Sequence, residues 1–158
     1  MATLVGAAIL SSKVLPYQSI MSVGSDIAVR SLIATTSSVT NLISYLTTNK
    51  SSPSDISSIL ISLDLEFTIK IIEELVKDWI DKEVSEPVRI AIIGVQQIVE
   101  LINKELNEIK GAIEYHNSKY FKGWRSFTWS NSPDIIKNHS ITLKSRYTML
   151  FELLKIYM

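Results

Sequence analysis

The hydrophobic positions between Ser85 and about Lys119 recur with the period of a long helix. Successive apolar residues are spaced alternately four and three residues apart, and they are Val88, Ile92, Val95, Val99, Ile102, Leu106, Ile109 and Ile113. This spacing averages about 3.5 residues, the heptad period that keeps one stripe of a helix against a partner. The sequence therefore predicts one continuous helix, about 50 Å long at about 1.5 Å per residue, whose apolar stripe other helices cover.

The ends of this helix also carry sequence signals. A Ser-Glu-Pro run at residues 85–87 is typical of a helix start, because it supplies a capping hydroxyl, an acid and a proline in the first turn. Gly123 is the predicted end. Gly94 and Gly111 lie inside the helix, and each disfavours it by about 1 kcal/mol relative to alanine unless a close helix approach compensates.

Two further helices are predicted before the long one. The first begins at Ser25 and reaches Asn49, and its predicted buried residues are Ile27, Leu32, Ile33, Val39, Leu42, Ile43 and Leu46. After a turn at 49–53, the second begins at Ser54 and reaches about Asp81. Its predicted apolar stripe is Ile56, Leu60, Leu63, Phe67, Ile71, Leu75 and Trp79, widened by Ile59, Ile69, Ile72, Val76 and Ile80. The short connection at 82–86 predicts that this helix and the long one are antiparallel neighbours.

A last helix is predicted to begin at Ser132-Pro133-Asp134, with a stripe of Ile136, Leu143, Tyr147, Leu150, Leu154 and Tyr157. The predicted fold class is all-α: a mostly antiparallel bundle of four to five helices with one long central helix. Residues 1–158 are predicted to form a single domain, with residues 1–24 as an accessory or anchoring segment. Within that segment, residues 2–15 are expected to form a short helix that docks in the core or lies on a bilayer surface.

Composition and charge narrow the classes of function. Sixteen basic side chains balance sixteen acidic ones, so no global field attracts a polyanion and nucleic acid is an unlikely partner. The absence of cysteine excludes disulfides and thiolate metal sites. The heavy use of isoleucine, serine, asparagine and lysine fits an AT-rich genome. An intracellular, cytoplasmic location is the default expectation, with the periphery of a membrane or a virion as alternatives.

The sequence contains no credible catalytic constellation. His116 and His139 are not at metal-ligand spacing from each other. Asp78 and Asp81 lie three residues apart and form a potential cation ligand pair, but acids at a solvated helix end are much commoner. We therefore expect a non-enzymatic protein with no cofactor, no metal and no small-molecule substrate.

Aromatic and basic residues alternate in one segment, 115–129, which contains no acid. Its candidate interaction residues are Tyr120, Phe121, Lys122, Trp124, Arg125, Phe127 and Trp129. Three interpretations apply: the rings close one end of the bundle, they form a protein-interaction hot spot, or they contact a membrane surface or nucleic acid. Trp, Tyr and Arg are the usual anchors of protein interfaces.

Two resemblances rest on the residues from Glu114 to Arg125 and from Leu143 to Leu150. This region resembles uncharacterised helical proteins of large DNA viruses. The order of elements also resembles the HeLo and MLKL-type four-helix bundles of cell-death executioners, which oligomerise and disrupt membranes. Here the amino-terminal helix lacks the charged polar face of those bundles.

Three functional hypotheses follow. The first is a structural or interaction bundle, a minor component of a virus particle or another large assembly, which binds protein partners or itself. The alternative is a membrane-active bundle that oligomerises like a cell-death executioner. The third, an enzyme or metal protein, requires a polar cluster inside the bundle that the sequence does not indicate.

Overall fold

The described chain folds into five α-helices. A computed structural model describes residues 24–118 and 131–157. The helices are α1 (Ser25–Thr48), α2 (Ser54–Ser62), α3 (Leu65–Lys77), α4 (Glu86–Ser118) and α5 (Ser132–Tyr157). These two ranges contain no strand, so the predicted all-α class is confirmed. The predicted helix at 2–15 and the predicted stop at Gly123 lie outside the described residues.

Helix α4 is the continuous rod that the heptad pattern predicts. It runs unbroken for 33 residues and passes through Gly94 and Gly111. All eight residues of its predicted stripe are at most 2% exposed. Burying an apolar side chain of this size contributes roughly 1.5–3 kcal/mol relative to leaving it in water. The stripe is therefore the largest single source of core burial on one helix.

Helix α1 packs along α4 in a constant parallel register. Three contacts join them: Gln96 Nε2 donates to Ser31 Oγ at 2.7 Å, Ser38 Oγ donates to Asn103 Oδ1 at 2.8 Å, and Lys110 Nζ lies 4.9 Å from the centre of the Tyr45 ring. Successive contacts are seven residues apart on both helices, and partners differ by 65 in number throughout. Residue numbers that rise together mean that the helices run in the same direction.

The other pairs run in opposite directions. On α5, Arg146 Nη1 donates to the carbonyl of Gly94 at 2.6 Å, and His139 lies near Glu105, so numbers rise on one helix as they fall on the other. Close backbone contacts join the helices in the cyclic order α1, α4, α5, α3, with α2 beside α1. The contact between α3 and α5 is the least extensive of these.

The predicted adjacency of the third and fourth helices is wrong. Helices α3 and α4 run in opposite directions, but they occupy diagonal positions: α3 packs mainly on α1, and α4 packs on both α1 and α5. The reason is the length of the connection, since α3 ends at Lys77 and α4 begins at Glu86. Eight intervening residues can span about 26 Å, more than the width of two packed helices.

The predicted single helix from Ser54 to about Asp81 is also wrong, because the structure has two helices there. The chain leaves the helical conformation at Asp64, whose φ of 53° and ψ of 36° are left-handed, and this separates α2 from α3. Aspartate tolerates this conformation better than most residues, because its short polar side chain bonds locally. The change resets the rotational phase of the helix.

Two residues of the predicted stripe are therefore exposed on α3. This helix buries Leu65, Ile69, Ile72 and Val76, whereas Phe67 is 61% exposed and Ile71 is also exposed. Two other predicted core residues are exposed as well, Ile27 at 66% and Tyr157 at 51%, both near a helix end. The remaining predicted residues of α1 and α5 are buried or partly buried.

An ion cluster fixes the connection before α4 to the start of α1. Arg30 bridges Asp26 at 2.9 Å and Asp81 at 2.8 Å, and the backbone N–H of Asp81 donates to the Asp26 carboxylate at 3.2 Å. The Arg30 guanidinium, helped by that N–H, lowers the pKa of Asp26 below its ordinary value. Asp81 itself has a left-handed φ of 59°. The cluster therefore stabilises a turn that the backbone alone disfavours.

Gly111 provides a direct test of α4 stability. The residue is exposed, and a Cβ atom added there would meet nothing within 4 Å. We expect Gly111→Ala to raise the free energy of unfolding by about 1 kcal/mol, because alanine loses less backbone entropy in a helix. The neighbouring substitution Ala112→Gly, also at an exposed position, should lower it by a similar amount in urea unfolding. A loss of stability in Gly111→Ala would contradict a continuous helix here.

His139 makes stability depend on pH. Partial burial lowers the pKa of His139 below its ordinary 6.5, while the Glu105 carboxylate acts in the opposite direction. The unfolded chain therefore binds a proton before the folded one does as the pH falls, and this contribution to stability is lost below about pH 6.5. Urea unfolding at pH 7.5 and 5.5 should show a smaller loss for His139→Gln than for the wild type. If the free energy of unfolding falls equally in the wild type and in His139→Gln, His139 does not contribute to the loss of stability at low pH.

Candidate interaction surface

The interaction residues predicted from the sequence lie outside the described part of the chain. Tyr120, Phe121, Lys122, Trp124, Arg125, Phe127 and Trp129 all fall between the end of α4 at Ser118 and the start of α5 at Ser132. Their arrangement therefore stays a prediction. The described aromatic residue nearest to them along α4 is Tyr115, which is 62% exposed.

The described residues offer no cluster for metal chemistry. Within 24–118 and 131–157, no group of three or more histidine, aspartate or glutamate side chains is arranged to hold an ion. Asp78 and Asp81 were the potential cation ligand pair, and Asp81 forms an ion pair with Arg30. The two histidines lie on different helices, His116 on α4 and His139 on α5.

Two shallow grooves open on the described surface. One, of about 360 Å³, lies at the Asp64 break between α1 and α2, and the other, of about 470 Å³, lies between α1 and α4. The second is lined by small and polar side chains around Tyr45 and Lys110. Neither groove brings together an acid, a base and a nucleophile in the way that an active site requires.

Helix α5 carries apolar side chains on the side opposite the core. Ile141 is 67% exposed, Met149 is 60% exposed and Ile156 is 72% exposed. They follow one another at intervals of eight and seven residues, so they lie within about 80° of one another around the helix. The buried residues Ile136, Leu143, Leu150 and Leu154 face the other way. We call Ile141, Met149 and Ile156 the α5 outer stripe.

The junction of α2 and α3 also carries exposed apolar residues. Lys144 Nζ of α5 donates to the carbonyl of Leu63 at 3.1 Å, which links α5 to the junction of α2 and α3. Ile61 and Phe67, within four residues of that junction, are 66% and 61% exposed. Met149 lies five residues beyond Lys144. Met149 therefore lies near the level of Phe67 along the bundle, whereas Ile156 lies about 18 Å from Lys144 along α5.

Charged side chains lie within and beside the α5 outer stripe. Glu152 lies between Ile141 and Ile156 around the helix and forms an ion pair with Lys155 at 3.0 Å. Lys155 also lies 4.5 Å from the centre of the Phe151 ring, and Lys144 lies on the side toward α3. Large exposed apolar residues among polar ones are common at protein interaction sites.

Sequence reasoning missed the α5 outer stripe, although its signal is present. The predicted stripe from Ile136 to Tyr157 contains residues spaced largely four and three apart, and no role was predicted for Ile141, Met149 or Ile156. A second stripe at intervals of seven and eight residues on the same helix predicts two covered faces. Here only one of them is covered by described residues.

Similarity to known proteins is limited to part of the chain. The sequence is similar to an uncharacterised protein of Acanthamoeba polyphaga mimivirus, with 29% identity over 80 residues, or 51% of this chain and 38% of the viral protein. The predicted resemblance to an uncharacterised viral protein is confirmed at that level. No protein-family model matches the chain. No solved structure matches it either, so the resemblance to cell-death bundles gains no support.

Proposed function

We propose that this protein is a non-enzymatic interaction bundle that joins a larger protein assembly through exposed apolar residues of α2, α3 and α5. The observation that carries the proposal is the α5 outer stripe, in which each of three large side chains is at least 60% exposed. A polar or charged outer face is the rule for helices that water covers. Apolar side chains that stay in water on this face lack the stabilisation that burial against a partner would give them.

The contrast with the charged face of α4 supports this assignment. The outer face of the second half of α4 carries Lys104, Glu108 and Glu114, all exposed, as expected for a surface that stays in water. The outer face of α5 carries Ile141, Met149 and Ile156 among exposed polar residues such as Ser145 and Glu152. The outer face of α4 therefore suits contact with water, whereas the apolar residues on the outer face of α5 suit contact with a protein partner.

The viral similarity supports a role in a particle or another large assembly. The matched region covers only 38% of the mimivirus protein, whose function its name leaves open, so a virion component is part of our proposal. The non-enzymatic assignment rests on the shallow grooves and on the lack of a reactive cluster among the described residues.

The membrane-active alternative depends on residues 1–24, nearly all of which lie outside the described ranges, and it stays a prediction. Among the described helices, none has an apolar stretch long enough to cross a bilayer. No other observation on the described residues favours that alternative over a protein partner.

Light scattering after size-exclusion chromatography tests the proposal. We expect the purified chain to show a mass above that of the monomer that increases with concentration. A variant with Phe67→Ser, Ile141→Ser, Met149→Gln and Ile156→Ser should return to the monomer mass, because these substitutions remove the apolar surface available for association. A strictly monomeric wild type over the whole concentration range would contradict the proposal.

Ile27→Ser is the control. Ile27 is exposed and apolar, but it lies on α1, diagonally across the bundle from α5. Association should persist in this control. If the control and the four-residue variant lose association equally, the surface on α3 and α5 is not the site.

A further inference from the structure

We propose that residues 1–23 fold back across the outer face of α4 between Arg89 and Gln97. This face lies opposite the apolar stripe of α4 and apart from the exposed apolar residues of α2, α3 and α5. It is a second interaction surface, and its occupant is the amino-terminal segment of the same chain. The observations behind this assignment are the burial of the face, the register of α1 on α4 and the reach of the chain.

One section of α4 is covered on the side away from the core. Residues 18 apart on a helix are separated by five full turns, so their side chains point in the same direction. Ile93 is 3% exposed, whereas Gly111, 18 residues later, is exposed, and a Cβ atom there would meet nothing within 4 Å. Arg89 is 8% exposed, whereas Asn107, 18 residues later, is exposed. The outer face of α4 is therefore closed near its start and open further along.

The neighbouring helices do not account for this cover, because they flank the open section as well. Near Gly111, α1 contacts α4 at Lys110 and α5 lies beside Glu105, yet Gly111 is exposed. The connection before α4 is held to Asp26, which lies about 140° around α1 from Ser31, the residue that contacts α4. That connection therefore lies on the other side of α1 from the covered face.

The covered section is about as long as one helix is wide. It extends from Arg89 to Gln97, about 12 Å along α4, and Glu100 beyond it is exposed. Gln97 Nε2 is buried, yet it has no acceptor among the described residues. An amide that water reaches finds an acceptor, so this one lies under a packed, largely apolar cover. A single helix that crosses α4 has the required width.

The position of Gly24 identifies the covering segment. Partners on α1 and α4 differ by 65 in number, so the register places Gly24, directly before α1, beside Arg89. Residues 1–23 therefore join the bundle at the edge of the covered section. They contain one charged side chain, Lys13, which suits burial against apolar residues. The apolar residues of the helix predicted at 2–15 are Leu4, Val5, Ala8, Ile9 and Leu15.

The segment between α4 and α5 is too short to be the cover. Ser118 lies about 37 Å from Ile93 along α4, and the start of α5 lies about 25 Å from the level of Ile93. A chain that left α4, reached Ile93 and returned to α5 would have to cover roughly 60 Å. The chain between these two helices spans at most about 50 Å when fully extended.

This contact controls what the amino-terminal segment is available to bind. While its apolar residues lie on α4, they cannot contact a bilayer or another protein. Releasing the segment exposes Ile93 together with those apolar residues, and this loss of burial opposes release. Any interaction of residues 1–23 with a membrane or a partner therefore competes with α4.

Thiol labelling tests the cover, because the chain has no cysteine of its own. In the full chain, Ile93→Cys should react with a thiol reagent at least about tenfold more slowly than Gly111→Cys, since only the first position is covered. Equal rates would overturn the proposal. Protection of Ile93→Cys that disappears on dilution would also overturn it, because the cover would then be a second copy.

Paired lysine substitutions test whether residues 1–23 are the cover. Val5→Lys with Ile9→Lys should remove most of the protection of Ile93→Cys, because charges on that apolar face oppose its burial. Thr3→Lys with Ala7→Lys is the matched control, which adds the same charge at the same spacing on the opposite side of the predicted helix. Protection should persist in this control. Protection that survives the Val5 and Ile9 changes would show that another segment covers α4.

Cross-linking gives a test that does not depend on lysine variants that fold. With a short bifunctional thiol reagent, Ala8→Cys should link within one chain to Ile93→Cys. It should not link to Gly111→Cys, which lies about 27 Å further along α4. Circular dichroism checks that each variant folds. Absence of the link to Ile93→Cys, or equal linking to both positions, would contradict the proposed contact.

Discussion

The described bundle depends on the packing of α1 along the apolar stripe of α4 in one fixed parallel register. The eight stripe residues supply the burial, and the flanking polar contacts select the register. Because those contacts repeat every seven residues, a shift of one helical turn would break all three, although the apolar stripe would still face its partner. Polar residues beside an apolar seam are known to specify register in this way.

The parallel pairing dictates much of the remaining topology. Two helices in the same direction cannot be joined by a short turn, so the chain between them must run back along the bundle. Helices α2 and α3 make that return, and the cluster of Asp26, Arg30 and Asp81 fixes the turn into α4. Helix α5 then packs on the remaining side of α4. In the cyclic order of helices, α3 and α5 share the least extensive contact, and most of the exposed large apolar residues of the described chain lie on those two helices.

The sequence was most informative where many residues repeat one pattern. The heptad spacing of α4, the Ser-Glu-Pro start and the start of α5 at Ser132 all predicted the observed helices. The break at Asp64 was not predictable in the same way, because the chain there has neither glycine nor proline and the left-handed turn depends on tertiary packing. A spacing of four residues also drifts by about 40° per step on an ideal helix, so the predicted stripe from Phe67 to Trp79 could not stay on one face.

The spacing of apolar residues alone could not predict which helices are neighbours or where the candidate interaction surface lies. A short connection fixes the direction of α3 and α4, but it does not decide whether they touch or lie across a diagonal. The aromatic and basic residues from Tyr120 to Trp129 were the evident candidates by composition. The α5 outer stripe was recognisable only once the opposite face was known to be buried, because exposure is a property of the packed bundle.

Thiol cross-linking of α1 to α4 tests the parallel register most directly, because the chain has no cysteine of its own. The pair Ser38 and Asn103 cannot distinguish a parallel from an antiparallel arrangement. If α1 were reversed about this pair, Ser38 would still lie opposite Asn103. We therefore compare Ser31→Cys with Gln96→Cys against Ser31→Cys with Lys110→Cys, using the shortest bifunctional thiol reagent. The parallel register predicts efficient intramolecular linking of the Ser31 and Gln96 pair alone. Preferential linking of Ser31 to Lys110 would show that α1 runs the other way and would contradict the account.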